Sequence, residues 1–67
     1  MTAVEIAAVD QLRERARAAL VAGDGGHRVT RKVRAVGVLR RAPGGERWTL
    51  AELGDAVEWA MAQPADN

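Results

Sequence analysis

The sequence contains no cysteine, serine, phenylalanine or tyrosine, and it has a single histidine among 67 residues. No disulfide can form without cysteine, and His27 alone leaves no Cys/His cluster for a structural metal ion. Nucleophilic catalysis needs a serine, cysteine or threonine together with a base and an orienting group. Because most of these residue types are missing, we expect no catalytic residue, no metal, no cofactor and no small-molecule substrate.

The residues available to fill a hydrophobic core are mostly small. Apolar types make up 48% of the chain, but most of them are alanine and valine. We expect residues 1–67 to form a single small domain, and a domain near this size buries only roughly 60% of the surface of its unfolded chain. Small scaffolds without disulfides or metals often gain stability by association. The sequence therefore predicts a protein partner, either a second copy or a different protein.

The N-terminus has the features of neither a signal peptide nor a membrane anchor. Residues 1–6 carry no basic charge, and Glu5 and Asp10 interrupt the apolar residues that follow. The longest uncharged stretch of the chain is much shorter than the ~20 residues of a membrane span. We expect a soluble protein with no membrane partner, and the lack of cysteine is consistent with the cytoplasm.

The best-specified helix follows Trp48. Thr49 is placed as its N-cap, and Glu52 stands three residues later, as a capping box requires. Trp48 before the cap and Leu53 inside the helix have the spacing of a hydrophobic staple. Pro64 stops the helix after Gln63, because proline cannot continue the hydrogen-bond pattern.

This helix has two unlike faces. At about 100° per residue, one face is apolar and consists of Leu50, Leu53, Val57, Ala60 and Met61. Trp59 falls on the other face, with Glu52 and Asp55. A tryptophan there is an isolated surface residue, a cover for the first helix, or a contact with a partner, since tryptophan is enriched at interface hot spots. The predicted partner-binding residues are Trp48, Leu53, Val57, Trp59 and Met61.

Residues 2–22 form a second clear helix. Thr2 and Glu5 have capping-box spacing, and an apolar stripe recurs at helical intervals through Val9, Leu12, Ala16 and Leu20. Gly23 suits a left-handed C-cap, and residues 23–28 are predicted as a connecting turn. These glycines follow a helix and lack a Lys-Ser/Thr pair, so they do not resemble a phosphate-binding loop.

Residues 29–41 are ambiguous between helix and hairpin. As a helix, Thr30 would be the N-cap, with Val33, Val36 and Leu39 at spacings of three and four. As strands, the valine density would favour β-structure, with a hairpin turn near Pro43. We favour the helix, which gives an all-α, three-helix module; the alternative is an α+β fold with a short hairpin. Residues 42–47 are predicted as a second turn and 64–67 as a disordered tail.

Most of the positive charge lies in this middle segment, at Arg28, Arg31, Lys32, Arg34, Arg40 and Arg41. Such a cluster is either a solvated surface balanced by acidic residues or a phosphate-contacting surface. No aromatic residue that could stack on a base lies within it. These six residues are the predicted nucleic-acid contacts in the second hypothesis for function.

Part of the chain resembles a known family. Residues 29–45, ending in Ala-Pro-Gly-Gly, and the Thr-Leu-Ala-Glu-Leu segment 49–53 are similar to the opening of bacterial winged helix-turn-helix regulators. In those regulators a helix, a turn of this kind and a Thr-Leu-Ala-Glu-Leu helix precede the recognition helix. The resemblance implies a helical packing unit. Because only six residues follow Met61, we expect no recognition helix, no wing and no reading of bases.

These observations predict a non-catalytic protein–protein interaction module. It would be a homo-oligomer, or an adaptor or regulatory subunit of a larger bacterial or phage assembly. The alternative function is a small DNA- or RNA-binding regulator that uses the basic segment 28–41.

Overall fold

The computed structural model describes residues 2–22 and 26–63, which form three α-helices. Helix α1 spans Ala3–Ala22, α2 spans Arg28–Arg41 and α3 spans Leu50–Ala62, with a 3-10 turn at Gly45–Arg47 before α3. These residues contain no strand, so the all-α prediction is confirmed and the hairpin alternative is wrong. The predicted Gly23 cap, most of the first turn and the tail 64–67 lie outside the described residues.

The N-cap of helix α2 lies three residues earlier than its sequence pattern predicts. His27 is the N-cap, with extended backbone and no side-chain capping bond. Thr30, the predicted N-cap, lies inside the first turn and is exposed. Hence Arg28 belongs to the helix rather than to the preceding turn. At the other end, the Ala42 N–H donates to the carbonyl oxygens of Val38 and Leu39, which closes the last turn.

The turn between α2 and α3 depends on two glycines with different roles. Gly44 has φ +84°, in the left-handed region that favours glycine. Gly45 is buried, and a Cβ atom there would overlap the Leu39 carbonyl oxygen and lie 2.6 Å from that of Arg40. Because the chain passes so close to the end of α2, only a residue without a side chain fits at position 45.

Helix α3 has the predicted capping box. The Glu52 N–H donates to Thr49 Oγ1 over 3.1 Å, and the Thr49 N–H donates to Glu52 Oε1 over 2.8 Å. At the start of α1, the Glu5 N–H donates to Thr2 Oγ1 over 3.2 Å. Two of the three helices therefore begin at a threonine that satisfies an otherwise unpaired backbone N–H group.

The three helices share one core, half of which is alanine. Its buried members are Leu12, Ala16, Ala19 and Leu20 of α1, Ala35 and Leu39 of α2, and Leu53, Ala56, Val57 and Ala60 of α3. Alanine allows helices to approach closely but buries little apolar area, and hydrophobic stabilisation grows by roughly 25 cal/mol per Å². The core agrees with the predicted stripe of α1, and it is small.

Two predicted inward-facing positions lie on the surface instead. Leu50 is 58% exposed and Val33 is 67% exposed, whereas Ala35 takes the buried position on α2. Leu50 is the first residue of α3, and its side chain lines an open groove beside α2 rather than the core. Val33 points away because Ala35 and Leu39, four residues apart, set the buried side of α2.

Candidate protein-binding surface

Four apolar side chains form a continuous exposed strip where α2 lies beside the start of α3. We call this strip the α2–α3 surface and define it by Val29, Val33, Val36 and Leu50. Val29 is 64% exposed, Val36 is half-buried, and all four line one open groove of about 480 Å³. Exposed apolar patches of this kind mark interaction sites more often than singly scattered apolar residues do.

The helical repeat places the three valines together. Val29, Val33 and Val36 are separated by four and three residues, so they follow one another along a single ridge of α2. The ridge is adjacent to the buried side, which consists of Ala35 and Leu39. Val36 therefore packs against the edge of the core, Val29 and Val33 lie in solvent, and Leu50 and Glu58 of α3 line the other side of the groove.

Charged side chains form the rim of this groove. Lys32 Nζ donates a hydrogen bond to Glu58 Oε1 over 2.8 Å, which joins α2 to α3. The Lys32 side chain crosses α3 at Gly54, where an added Cβ would lie 3.8 Å from its Cε atom. Arg28 also lines the groove. The rim thus has two cations and one anion.

The ion pair changes the acidity of its carboxylate. The hydrogen bond from Lys32 and then the charge of Lys32 hold the pKa of Glu58 below its ordinary value of 4.5, and Arg28 adds to this effect. Partial burial opposes the shift. Glu58 is therefore ionised at neutral pH, and it offsets only part of the positive charge of the rim.

Two of the predicted partner-binding residues belong to the core of this chain. Leu53 and Val57 have no exposed surface, so they cannot contact a partner while the domain is folded. This corrects the prediction, and the reason is that both side chains lie in the core that the three helices share. Trp48, Trp59 and Met61, the other three, are half-buried and pack against that core.

Trp59 covers helix α1. The guanidinium carbon of Arg13 lies 4.9 Å from the centre of its ring, which is the geometry of a cation–π contact. The sequence left three alternatives open for Trp59. The structure agrees with the one in which the ring covers the first helix. Part of the ring remains accessible, so a contact with a partner at this residue stays a prediction.

A second concavity lies between α1 and α3, beside Trp48. Its lining includes Leu12, Arg13, Trp48, Glu52 and Asp55, and its volume is about 170 Å³. Pockets for drug-sized ligands typically measure ~300–1,000 Å³. This crevice is too small for such a ligand, and it places two carboxylates next to one guanidinium.

The six predicted nucleic-acid contacts do not form one surface. Arg28 and Lys32 lie on the side of α2 that borders the groove, whereas Arg34 and Arg41 project from the opposite side. Arg31 and Lys32 are half-buried, and Arg28, Arg34, Arg40 and Arg41 are exposed. The basic residues therefore surround α2 rather than follow one groove-facing stripe, as a single phosphate track would require.

The sequence pattern did not identify Val29 and Val33 as surface residues, and it placed Leu50 on the apolar face of α3. A signal was present, because Val29, Val33 and Val36 share one side of the predicted helix whereas Ala35 and Leu39 share another, so a single narrow buried stripe cannot include both sets. Across the described ranges 2–22 and 26–63, no group of three His, Cys, Asp or Glu side chains is placed to hold a metal ion. No helix in these ranges is long and apolar enough to cross a bilayer.

Comparisons of the chain with protein-family models, with curated proteins and with solved structures give no match. The resemblance to winged helix-turn-helix regulators therefore stays a prediction from short sequence motifs.

Proposed function

We propose that this chain is a non-catalytic protein–protein interaction module and that the α2–α3 surface is its principal contact. The observation that carries the proposal is the continuous exposure of Val29, Val33 and Leu50 around one groove, each more than half accessible. The module would act as a homo-oligomer, or as an adaptor or regulatory subunit of a larger bacterial or phage assembly. The cytoplasm is the expected compartment.

Burial of the exposed apolar side chains by a partner would be energetically favourable. Complete burial of a valine or leucine side chain contributes about 1.5–3 kcal/mol. The core contains five alanines among its ten buried residues, while three larger apolar side chains remain mostly exposed nearby. A partner that covers these three side chains would add apolar burial that the folded chain does not provide for itself.

A photo-crosslinking experiment tests this proposal. Benzoylphenylalanine would replace Val33 in one variant and Val38 in a matched control, and each variant would be irradiated in the native host. Val38 is also on α2 and is 43% exposed, but it projects away from the groove. We expect an adduct from position 33 and none from position 38. An adduct of twice the mass of the chain identifies a homo-oligomer, and any other mass identifies a different protein.

Absence of an adduct at position 33, with circular dichroism showing a folded variant, would contradict the proposed function. Equal crosslinking from positions 33 and 38 would contradict the assignment of the surface.

Nucleic-acid binding is the second candidate function, and the composition of α2 favours it. The helix has six basic residues and no acidic residue. Phosphate contacts release counterions, so the affinity would fall steeply with salt. Fluorescence anisotropy with a labelled duplex and a labelled single strand, at 50 and 200 mM salt, tests this candidate. Weak binding that does not respond to salt would exclude it.

A further inference from the structure

The valine ridge lies on a helix whose charges all have one sign. Of the 14 residues of α2, six are basic and none is acidic: Arg28, Arg31, Lys32, Arg34, Arg40 and Arg41. Two of these bracket the ridge. Arg28 lines the groove at its start, and Arg40 follows Val36 by four residues, so it continues the ridge by one turn. Any occupant of the groove therefore meets apolar side chains between two positive charges.

This charge pattern disfavours a second copy packed face to face through α2. A two-fold axis on the ridge would bring one all-cationic helix against another, and like charges placed opposite each other are unfavourable. Glu58 is the only anion among the groove-lining residues, and it is already hydrogen-bonded to Lys32. The same surface is also unlike a phosphate track, because its central side chains are valines.

We propose that the α2–α3 surface binds an acidic amphipathic helix of another protein. This inference rests on the proposed function and names the class of partner. Val36 follows Val29 by seven positions, which is about 10 Å along the helix. That length matches the i, i+3/i+4 and i+7 anchor residues with which an amphipathic helix enters an apolar groove. Apolar anchors would lie between Val33 and Leu50, and flanking carboxylates would face Arg28 and Arg40.

The proposal predicts a preference between two model peptides that differ only in charge. Both would be helical 16-mers with leucines at i, i+3 and i+7; one carries glutamates beside the leucines and the other carries lysines. Heteronuclear NMR titration of the full ¹⁵N-labelled chain is the measurement. We expect saturable shift changes at Val29, Val33 and Leu50 with the glutamate peptide, and at least about tenfold weaker binding of the lysine peptide.

Variants separate the apolar from the electrostatic contribution. Val33→Gln should weaken binding of the glutamate peptide about tenfold or more, whereas the control Val38→Gln should leave the affinity for this peptide unchanged. The double variant Arg28→Glu/Arg40→Glu should reverse the preference between the two peptides. Circular dichroism would verify that each variant retains its helices.

Any one of five results would overturn the inference. Equal affinity for the two peptides, or shift changes confined to other surfaces, would remove the acidic helix as the occupant. Tighter binding of a 20-base-pair duplex than of the glutamate peptide would assign the cations to phosphate instead. A crosslinked homodimer through position 33 would make a second copy the occupant; the proposed function would then stand while this inference fails. Loss of all crosslinking at position 33 would contradict both the proposed function and this inference.

Discussion

The two sides of α2 differ in a way that inverts the usual hydrophobic pattern. The buried side has Ala35 and Leu39, and the neighbouring ridge has Val29 and Val33, which are mostly exposed. The smallest apolar residue of the helix lies in the core, while two larger, β-branched residues lie in solvent. The position of a residue around the helix, rather than its hydrophobicity, decides its burial. These exposed valines belong to the surface that we propose a partner covers.

Helix α3 repeats this contrast with identical side chains. Leu50 and Leu53 are separated by three residues, yet one is mostly exposed and the other has no exposed surface. Leu53 lies in the core that the three helices share, and Leu50 lines the groove. The pair therefore offers a direct comparison of core packing with surface exposure within one helical turn.

The largest effect should come from truncating the buried leucine of this pair. Leu53→Ala removes a fully buried side chain, and such substitutions lower the free energy of unfolding by about 2–5 kcal/mol. In a domain with so small a core, we expect most of the cooperative unfolding transition to be lost. Leu50→Ala, the matched control, should stay within about 0.5 kcal/mol of the parent. Urea unfolding followed by circular dichroism measures both; equal losses would contradict the assignment of the two leucines.

Two glycines differ in the space around them, and this difference permits a second comparison. A Cβ at Gly45 would overlap the Leu39 carbonyl oxygen, whereas a Cβ at Gly54 would meet only the flexible Lys32 side chain at 3.8 Å. Gly45→Ala should lower the free energy of unfolding by at least about 1–3 kcal/mol. Gly54→Ala should raise it by about 0.5–1 kcal/mol, because alanine favours a helix interior.

Thermal unfolding of the two glycine variants tests the direction of both changes. A melting temperature that rises in Gly45→Ala would show that the turn does not approach the end of α2 as closely as described.

The smallest effect should come from the ion pair at the rim of the groove. The pKa of Glu58 is lowered in the folded state, so its stabilising contribution is fully present above the ordinary value of 4.5. The contribution is lost as the pH falls through the lowered value. We expect Glu58→Gln to be slightly less stable than the parent at pH 7 and equal to it at the acid end of the range.

Urea unfolding between pH 2 and pH 7 measures this difference in stability. Glu52→Gln is an unsuitable control, because Glu52 closes the capping box. Glu14→Gln, on an exposed position of α1, is the better one. A difference between Glu58→Gln and the parent that does not change with pH would contradict the role of the Lys32 hydrogen bond.

Much of the helical architecture could be predicted, because the signals for it are local. Thr49 and Glu52 form the capping box that their spacing indicates, and Leu12, Ala16 and Leu20 form the inward stripe of α1. The start of α2 was misplaced because His27 caps it without a side-chain hydrogen bond. No residue type marks such a start.

The candidate surface was predicted poorly, and the reason is physical. A helical wheel shows which residues share a face, but it does not show which face the neighbouring helices cover. Leu53 and Val57 were expected at a partner contact and are in the core, while Val29, Val33 and Leu50 were not selected. Trp59 packs against the core and lies under Arg13, and its contact with Arg13 depends on how α1 crosses α3.

The sequence by itself determined helices α1 and α3, the capped start of α3 and the small, alanine-rich core, because caps, helical periodicity and side-chain volume are properties of neighbouring residues. For residues 29–41 the sequence favoured a helix but left a hairpin open, and the structure decided between them. Only the tertiary structure decided which apolar residues remain uncovered. The angle and offset at which α2 lies on α1 and α3 leave Val29 and Val33 beside Leu50, and they place Lys32 within reach of Glu58. Those contacts join residues far apart in the chain, where no local pattern operates.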